Sequence, residues 1–397
     1  MSKLDELIRE LCPNGVEYKR IGELAEYEQP TKYIVKSTDY SDNFEIPVLT
    51  AGQTFILGYT NETEGIYTAS KENPVIIFDD FTGAFKWVDF PFKVKSSAMK
   101  ILTAKTDITS LRYIFHLMGY LNFSSDEHKR LWIRTYSEFL VPVPPLEVQR
   151  EIVRILDNFT ELTAELTAEL TARKKQYEYY RDELLTFDIS IPKVRLGDIC
   201  SVITKGTTPK SYTKSGVSFV KTESFDGTRI VPEKLSYVDE ETHTTFLKRS
   251  ILQENDILIT IAGATIGKCA MVPKEILPAN TNQALAIIRL SEGNSPKYVM
   301  YLLQSDLMKR YMQKNIKGSA QPNLNLQQLN DFVIPLPSLN VQNRLVNVLD
   351  NFDAICSDLN IGLPAEIEAR QKQYEFYRDA LLTYAATGKI ILTDRQT

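Results

Sequence analysis

The sequence predicts an α+β protein. It has two mixed α/β domains separated by two long helices that pack as an antiparallel coiled coil, and its halves are related by an internal pseudo-two-fold repeat. Three observations predict this. Residues 145–187, PLEVQREIVRILDNFTELTAELTAELTARKKQYEYYRDELLTF, read as one long helix, and a modified copy recurs at 338–384. The segments before each copy share an order of short apolar runs divided by Gly, Asn and Asp turns, the texture of strands. The helical copies also match far better than the segments they separate. VQREIVRILDNF (148–159) pairs with VQNRLVNVLDNF (341–352), and KQYEYYRDELLTF (175–187) with KQYEFYRDALLTY (372–384).

Residues 1–14 hold a short amphipathic helix. Ser2 and Asp5 form a capping box, Leu4, Leu7, Ile8 and Leu11 recur at helical spacing, and Pro13-Asn14-Gly15 ends it. The first mixed domain spans 15–144, with strand-like runs such as Glu45–Leu49, Pro74–Phe78 and Ala98–Leu102 and one helix around Leu111 to Leu121. Helix 145–187 follows. The second domain, 188–337, repeats the plan: Arg195–Ile199 answers Arg20–Leu24, Asn255–Ile259 answers Asn73–Ile77, and Gln283–Ile287 answers Ser97–Ile101. Its one clear helix, around Tyr298–Leu302, answers Tyr113–Leu117. The second long helix spans 338–384, and 385–397 form a tail.

Within the first long helix the unit Thr163–Leu166 repeats at once as Thr167–Leu170. Four residues advance a helix by about 6 Å and about 400°, so its length can change by one turn with the apolar face nearly in phase. That is a property of a spacer, and some 40 residues make a rod of about 60 Å. The second copy is four residues longer, since its two matched ends lie 193 and 197 residues after those of the first. It contains Gly362 and Pro364, which predict a break with Pro364 in the first turn of the continuation.

Composition bounds the function. No apolar run reaches the roughly 18 residues that cross a bilayer, and the N-terminus lacks the order of a signal peptide, so a cytoplasmic protein without membrane contact is expected. Cys12, Cys200, Cys269 and Cys356 are far apart with no CxxC pair, which points to packing. The net charge is −5, and each long helical segment carries −3, leaving the remainder at +1. DNA binding by local basic loops is compatible with that balance, with a partner protein supplying much of the phosphate affinity.

A catalytic centre is not legible. Asp79-Asp80 is the best carboxylate pair, but neighbours on a strand point to opposite faces, so a polar contact or turn is the expected role. Gly263–Cys269 resembles a phosphate loop, yet only three residues separate its glycines and Cys269 follows Lys268. His116, His128 and His243 are scattered. What remains are polar and basic loops with aromatics between them, suited to phosphate and base-edge contacts. In the first domain they carry Gln29, Thr31, Lys32, Tyr33, Gln53, Lys86, Trp87, Ser96, Ser97, Lys129 and Arg130. In the second they carry Lys205, Thr207, Thr208, Lys210, Lys221, Thr265, Lys268, Asn280, Asn282, Gln283, Lys317, Ser319 and Gln321. A solvated loop is the alternative for each residue singly.

Two diverged domains joined by helices whose ends have barely changed suggest two different ligands and one partner bound twice. The matched Tyr177, Tyr180 and Arg181, with Tyr374, Tyr377 and Arg378, either dock that partner or close the ends of the coil.

Two variable domains alternating with two repeated helices, the P-x-P-x-L-x-x-Q lead-in at Pro142–Gln149 and Pro335–Gln342, KQYEYYRDELL and the TAEL units resemble the DNA-specificity subunit of a type I restriction-modification enzyme, most closely its type IC branch. The resemblance covers the whole chain and implies the following. Each variable domain is a target recognition domain reading one half of an asymmetric bipartite site in double-stranded DNA, and the helices set the spacer between the halves. Two methyltransferase subunits bind the chain, flip an adenine in each half-site and methylate its N6, and restriction/translocase subunits join them. S-adenosylmethionine, ATP and Mg belong to those partners, and no cofactor or metal to this chain. A coiled-coil scaffold and a single-chain nuclease are the competing readings.

Overall fold

The computed structural model describes residues 2–50, 54–105, 107–123, 125, 129–263, 265–315, 323–357 and 362–387. The chain forms two compact units, residues 1–165 with 367–397, and residues 166–366. Each unit therefore combines one mixed domain with ends of both long helical segments.

The first unit begins with α1 (Lys3–Leu11), whose capping box joins Ser2 and Asp5 as the sequence predicts. Strands β1 (Glu17–Arg20), β2 (Ala25–Glu28), β3 (Ile46–Leu49), β4 (Ile56–Thr60), β5 (Val75–Asp79), β6 (Phe85–Val88), β7 (Lys93–Val94), β8 (Met99–Ala104) and β9 (Leu140–Val143) follow, with the one-turn α2 (Ile21–Leu24) and with α3 (Leu111–Leu121). An antiparallel sheet of order β2-β8-β5-β6 lies at the centre. Strand β5, Val-Ile-Ile-Phe-Asp, is buried at every position because both faces of this sheet are covered. Ile76, Phe78 and Leu102 meet α1, α3 and the first turns of the long helix α4 (Leu146–Leu184); Val75, Ile77, Met99 and Ile101 meet a three-stranded sheet, β4-β3-β7.

The second unit repeats this topology. Its strands are β10 (Lys193–Arg195), β11 (Cys200–Lys205), β12 (Val217–Val220), β13 (Phe225–Asp226), β14 (Arg229–Ile230), β15 (Ser236–Val238), β16 (Ile257–Thr260), β17 (Cys269–Met271), β18 (Ala279–Thr281), β19 (Leu285–Leu290) and β20 (Val333–Pro335). The sheets run β11-β19-β16-β17 and β15-β12-β18, and β10 pairs with β20 as β1 does with β9. Both small sheets contain one parallel pair, β3 with β7 and β12 with β18. The expectation of one helix in this domain is incomplete. Beside α6 (Pro296–Gln304) stand α5 (Glu240–Thr244), α7 (Asp306–Asn315) and α8 (Leu326–Asn330). Met308 of α7 is buried, while most of that helix is polar and exposed, which hides its apolar period.

The second long segment is two helices, α9 (Leu339–Ser357) and α10 (Leu363–Thr387), with Pro364 in the first turn of α10, where its missing N–H costs nothing. In the first unit Phe159 of α4 stacks on Tyr377 of α10 at 5.1 Å. In the second Tyr180 of α4 stacks on Phe352 of α9 at 6.0 Å. Within the first unit the earlier α4 residues Val148 and Ile152 share a core with the later α10 residues Leu382 and Ala385, so α4 and α10 run antiparallel there.

Candidate nucleic-acid interface

In the second unit, backbone bonds gather the predicted loops at one end of the sheets. Gly206 N–H donates to Leu285 O at 3.1 Å and Thr207 N–H to Thr281 O at 3.0 Å, so the loop leaving β11 lies on the turn between β18 and β19. A Cβ on Gly206 would stand 2.1 Å from Asn282 O and 2.2 Å from Thr281 O, so only glycine permits this approach. Ile261 N–H donates to Ala284 O at 2.9 Å and Thr260 N–H to Lys268 O at 2.8 Å, which brings in the loop after β16. Thr281 Oγ1 donates to Val220 O at 3.0 Å beside Lys221.

The cluster presents cations. Lys205, Lys210 and Lys268 are exposed, as are Thr208 and Gln283; Thr207 and Thr265 are half-buried. Aromatic rings prop two of the lysines, with Lys221 Nζ 4.9 Å from the Tyr212 ring and Lys210 Nζ 5.9 Å from that of Phe246. Asn282 is partly occupied, its Oδ1 accepting from Ala284 N–H at 3.1 Å. Asn280 is a correction. It is fully buried on β18, where its amide contacts His243 Nδ1 at 2.6 Å and donates to Leu247 O at 3.1 Å, so it supports the loops and cannot meet a base. Lys317, Ser319 and Gln321 lie outside the described residues.

The first unit gathers its loops at the matching end. Gln29 Nε2 donates to Ser97 O at 2.9 Å and its Oε1 accepts from Lys100, a fully buried lysine whose Nζ also stands 5.0 Å from the Tyr27 ring. With both ends of its amide engaged, Gln29 positions the Ser96-Ser97 turn. Asp80 N–H donates to Ala98 O at 3.1 Å, and Asp80 in turn accepts from Trp132 N–H at 2.9 Å, carrying the 129–132 segment into the group. Thr31, Lys32, Lys129 and Arg130 are exposed there, with Lys32 paired to Glu28 at 2.7 Å; Ser96 and Ser97 are half-buried. Tyr33 is half-buried, donating to Glu28 and packed edge-on against Tyr67.

Lys86 and Trp87 depart from expectation. They sit in the middle of β6, and Trp87 packs against Phe115 with the Arg112 guanidinium 4.7 Å above it, so its surface is spent on α3. Gln53 and His128 lie outside the described residues. Lys95 was missed; it is exposed, 3.3 Å from Tyr40 Oη, and its place directly before Ser96-Ser97 was the available signal.

The carboxylates Asp79 and Asp80 serve structure. Asp79 caps its own turn, accepting from Phe81 N–H at 2.9 Å and Thr82 Oγ1 at 2.8 Å. The Oδ2 of Asp80 faces Lys100 at 3.4 Å and Arg130 at 3.7 Å. Among the described residues, no group of His, Cys, Asp and Glu could hold a metal ion, and no helix is long and apolar enough to cross a membrane.

The matched helix ends divide into inner and outer residues. Arg181 is buried, bonded to Asp182 and set over the Tyr177 ring; Arg378 repeats this with Asp379 and Tyr374. The Tyr374 hydroxyl meets His116 Nδ1 at 2.9 Å. Tyr374 thereby fastens α10 to α3 of its own unit, while each arginine is engaged within its own helix by the neighbouring Asp and the Tyr one turn earlier. Outward stand Tyr179 with Tyr180 and Phe376 with Tyr377, edge-on pairs at 5.4 Å and 5.5 Å, each residue more than two-fifths exposed. The seats beneath are repeated as well. Arg112, His116 and Asp157 of the first unit recur as Lys297, Tyr301 and Asp350 of the second, with the carboxylate accepting from both neighbours each time.

Comparison with known proteins agrees with this arrangement. The family model for the type I restriction modification DNA specificity domain matches twice, at residues 13–173 and 191–369. The chain is 42% identical to the EcoR124I/EcoR124II specificity subunit of Escherichia coli over 401 residues, covering 97% of this chain and 98% of the relative. It is 30% identical to a putative type I restriction enzyme specificity subunit of Haemophilus influenzae, covering 93% and 96%. A solved structure from work on complex assembly and conformational transition of the type I R-M system shares the fold, with a TM-score of 0.54 at 19% identity over 95% of this chain and 98% of that one.

Proposed function

The chain belongs to the type I restriction-modification DNA-specificity family, and on that premise we propose how its parts divide the work. It is the specificity subunit, and each of its two domains reads one half of an asymmetric bipartite site in double-stranded DNA. The observation that carries this is the doubled loop cluster. Two domains of one topology hold cationic and amide side chains at the same end of their sheets, yet differ in nearly every residue there, as two readers of different sequences must.

Reading lies with the exposed members: Thr31, Lys32, Lys95, Lys129 and Arg130 in the first domain, and Lys205, Thr208, Lys210, Lys268 and Gln283 in the second. The outward aromatic pairs Tyr179-Tyr180 and Phe376-Tyr377 bind two copies of one methyltransferase subunit. Restriction/translocase subunits join that complex in the cytoplasm. Adenine methylation, with S-adenosylmethionine, and ATP-driven work, with Mg, occur on those partners, while this chain places the DNA.

The test is reconstitution with the methyltransferase and sequencing of methylated adenines. A bipartite motif is expected, and exchanging residues 188–337 for those of another family member should change one half-site only. Methylation at no particular sequence would refute the proposal, and an exchange that leaves the motif unaltered would leave only a scaffold.

A further inference from the structure

We propose that Asp80 and Lys100 form a buried charge pair that aims Arg130 at the edge of a guanine in the first half-site, which makes both of them positioning residues for base reading. The inference deepens the proposed function and rests on its claim that the first domain reads DNA.

A charge taken out of water is costly unless it is paired and its oxygens are filled with hydrogen bonds. Asp256, in the second unit, meets that demand: Arg289 donates to both of its oxygens, at 2.8 and 2.7 Å, and Gln253 N–H donates to one of them. Asp80 is as fully buried and does not. Its Oδ1 accepts from Trp132 N–H, but among the described residues its Oδ2 accepts no hydrogen bond. That oxygen stands 3.4 Å from Lys100 Nζ and 3.7 Å from Arg130 Nη1. A buried carboxylate oxygen left open between two cations has a purpose beyond folding.

The internal repeat supplies the comparison. Asp80 N–H donates to Ala98 O, and Asp80 O accepts from Leu131 N–H; Ile261 makes the same two bonds, to Ala284 O and from Leu324 N–H. Lys100 lies across the sheet from Phe78, as Ala286 does from Ile259. The second unit thus sets Ile261 and Ala286, both buried, where the first has Asp80 and Lys100. Directly before Leu131 stands Arg130, and directly before Leu324 stands Asn323, both exposed. The buried pair is present beneath the arginine and absent beneath the neutral amide, although the backbone bonds around both are alike.

Lys100, held by Gln29 Oε1 and the Tyr27 ring, neutralises Asp80 whether or not Arg130 stays beside it. Asp80 can therefore restrain the guanidinium of Arg130 through Nη1 while the other N–H groups serve a ligand. A guanidinium of fixed plane suits the paired O6 and N7 acceptors of guanine in the major groove. A phosphate contact needs no such restraint, and an acid behind the cation would oppose it.

The test uses the chain reconstituted with its methyltransferase and duplexes in which each base pair of the first half-site, other than the methylated one, is varied in turn. Arg130→Gln, at an exposed position, should lower discrimination about tenfold or more at one G·C pair and leave the other pairs as they are. Asp80→Asn combined with Lys100→Met removes both buried charges, keeps an oxygen for Trp132 N–H and leaves Arg130 in place. It should relax the same pair, with the melting of the chain little changed and the second half-site read as before. Uniform weakening over all duplexes by Arg130→Gln would make that residue a phosphate contact and overturn the inference. Full discrimination in the double variant, or a loss spread over the whole half-site, would overturn it too. Wild-type methylation at no particular sequence would instead refute the proposed function, and this inference with it.

Discussion

His116 has a fully buried ring held between two partners, with Nε2 3.0 Å from Asp157 and Nδ1 2.9 Å from the Tyr374 hydroxyl. A neutral imidazole satisfies both, donating to the carboxylate and accepting from the phenol. Burial lowers its pKa; Asp157 pulls it back up, and the cations Arg112 and Arg378 push it further down. Burial pushes the Asp157 carboxyl up, but the bonds from His116 and Arg112 outweigh it and the net shift is downward. The unfolded chain thus takes up the imidazole proton first. Stability is full above the ordinary imidazole value of 6.5 and falls as pH drops below it. Thermal unfolding at pH 5.5 and 7.5 should show this loss. His116→Gln should flatten it, at a cost of about 1–3 kcal/mol at neutral pH. Equal pH dependence in both proteins would show that His116 is not the titrating group. The second unit carries Tyr301 at this position, so its seat lacks the imidazole. Such roles were only partly legible: Asp79-Asp80 read as structural, while Asn280 and Trp87 looked available. Residue type on a short polar stretch does not reveal which side of a strand a side chain takes, and both point inward.

At the level of elements, the repeated lead-in to the long helices was visible as P-x-P-x-L-x-x-Q, but its glutamine had no assigned purpose. The structure supplies one. Gln149 is fully buried; its Nε2 donates to Ile108 O at 3.0 Å and Pro144 O at 2.8 Å, and its Oε1 accepts from Thr109 Oγ1 at 2.9 Å. Gln342 repeats the clamp, donating to Pro337 O and accepting from Ser295 N–H, both at 2.9 Å. Each glutamine joins the strand before the helix to the loop that starts the packed helix α3 or α6, so it fixes the angle at which the rod leaves the domain. Gln149→Leu would strand buried carbonyls and one hydroxyl. Destabilisation of about 2–4 kcal/mol is expected, by denaturant titration of the full chain. Gln342→Leu should cost a similar amount, and a silent result at either position would show that the glutamine does not hold the helix to its domain. The break between α9 and α10 was legible because Gly and Pro act through the backbone alone; the coverage of α4 by α1 was not, because it depends on tertiary packing.

Over the whole molecule, the repeat was plain in the sequence, whereas the composition of the compact units was not. Leu382 and Ala385 of α10 share one core with Leu4 and Ile8 of α1, so segments far apart in the chain complete the first unit. The division between the units falls in α4 between Glu165 and Leu166, inside the first TAEL repeat. Another TAEL unit placed there inserts one turn between the α4 residues of one unit and those of the other. That adds about 6 Å of helix and turns its face by only about 40° beyond a full circle, so the packed stripe survives. With base pairs rising about 3.4 Å each, the two recognition domains should then engage half-sites set further apart while each reads the same bases. Sequencing of methylated adenines should show a motif with a longer spacer and unchanged halves. A two-residue insertion turns the face by about 200° and should abolish methylation instead, since it would swing one packed stripe away from its partner helix. If the four-residue insertion methylates with unaltered spacing, α4 is not the ruler, and the distance between half-sites must be set by the partner subunits.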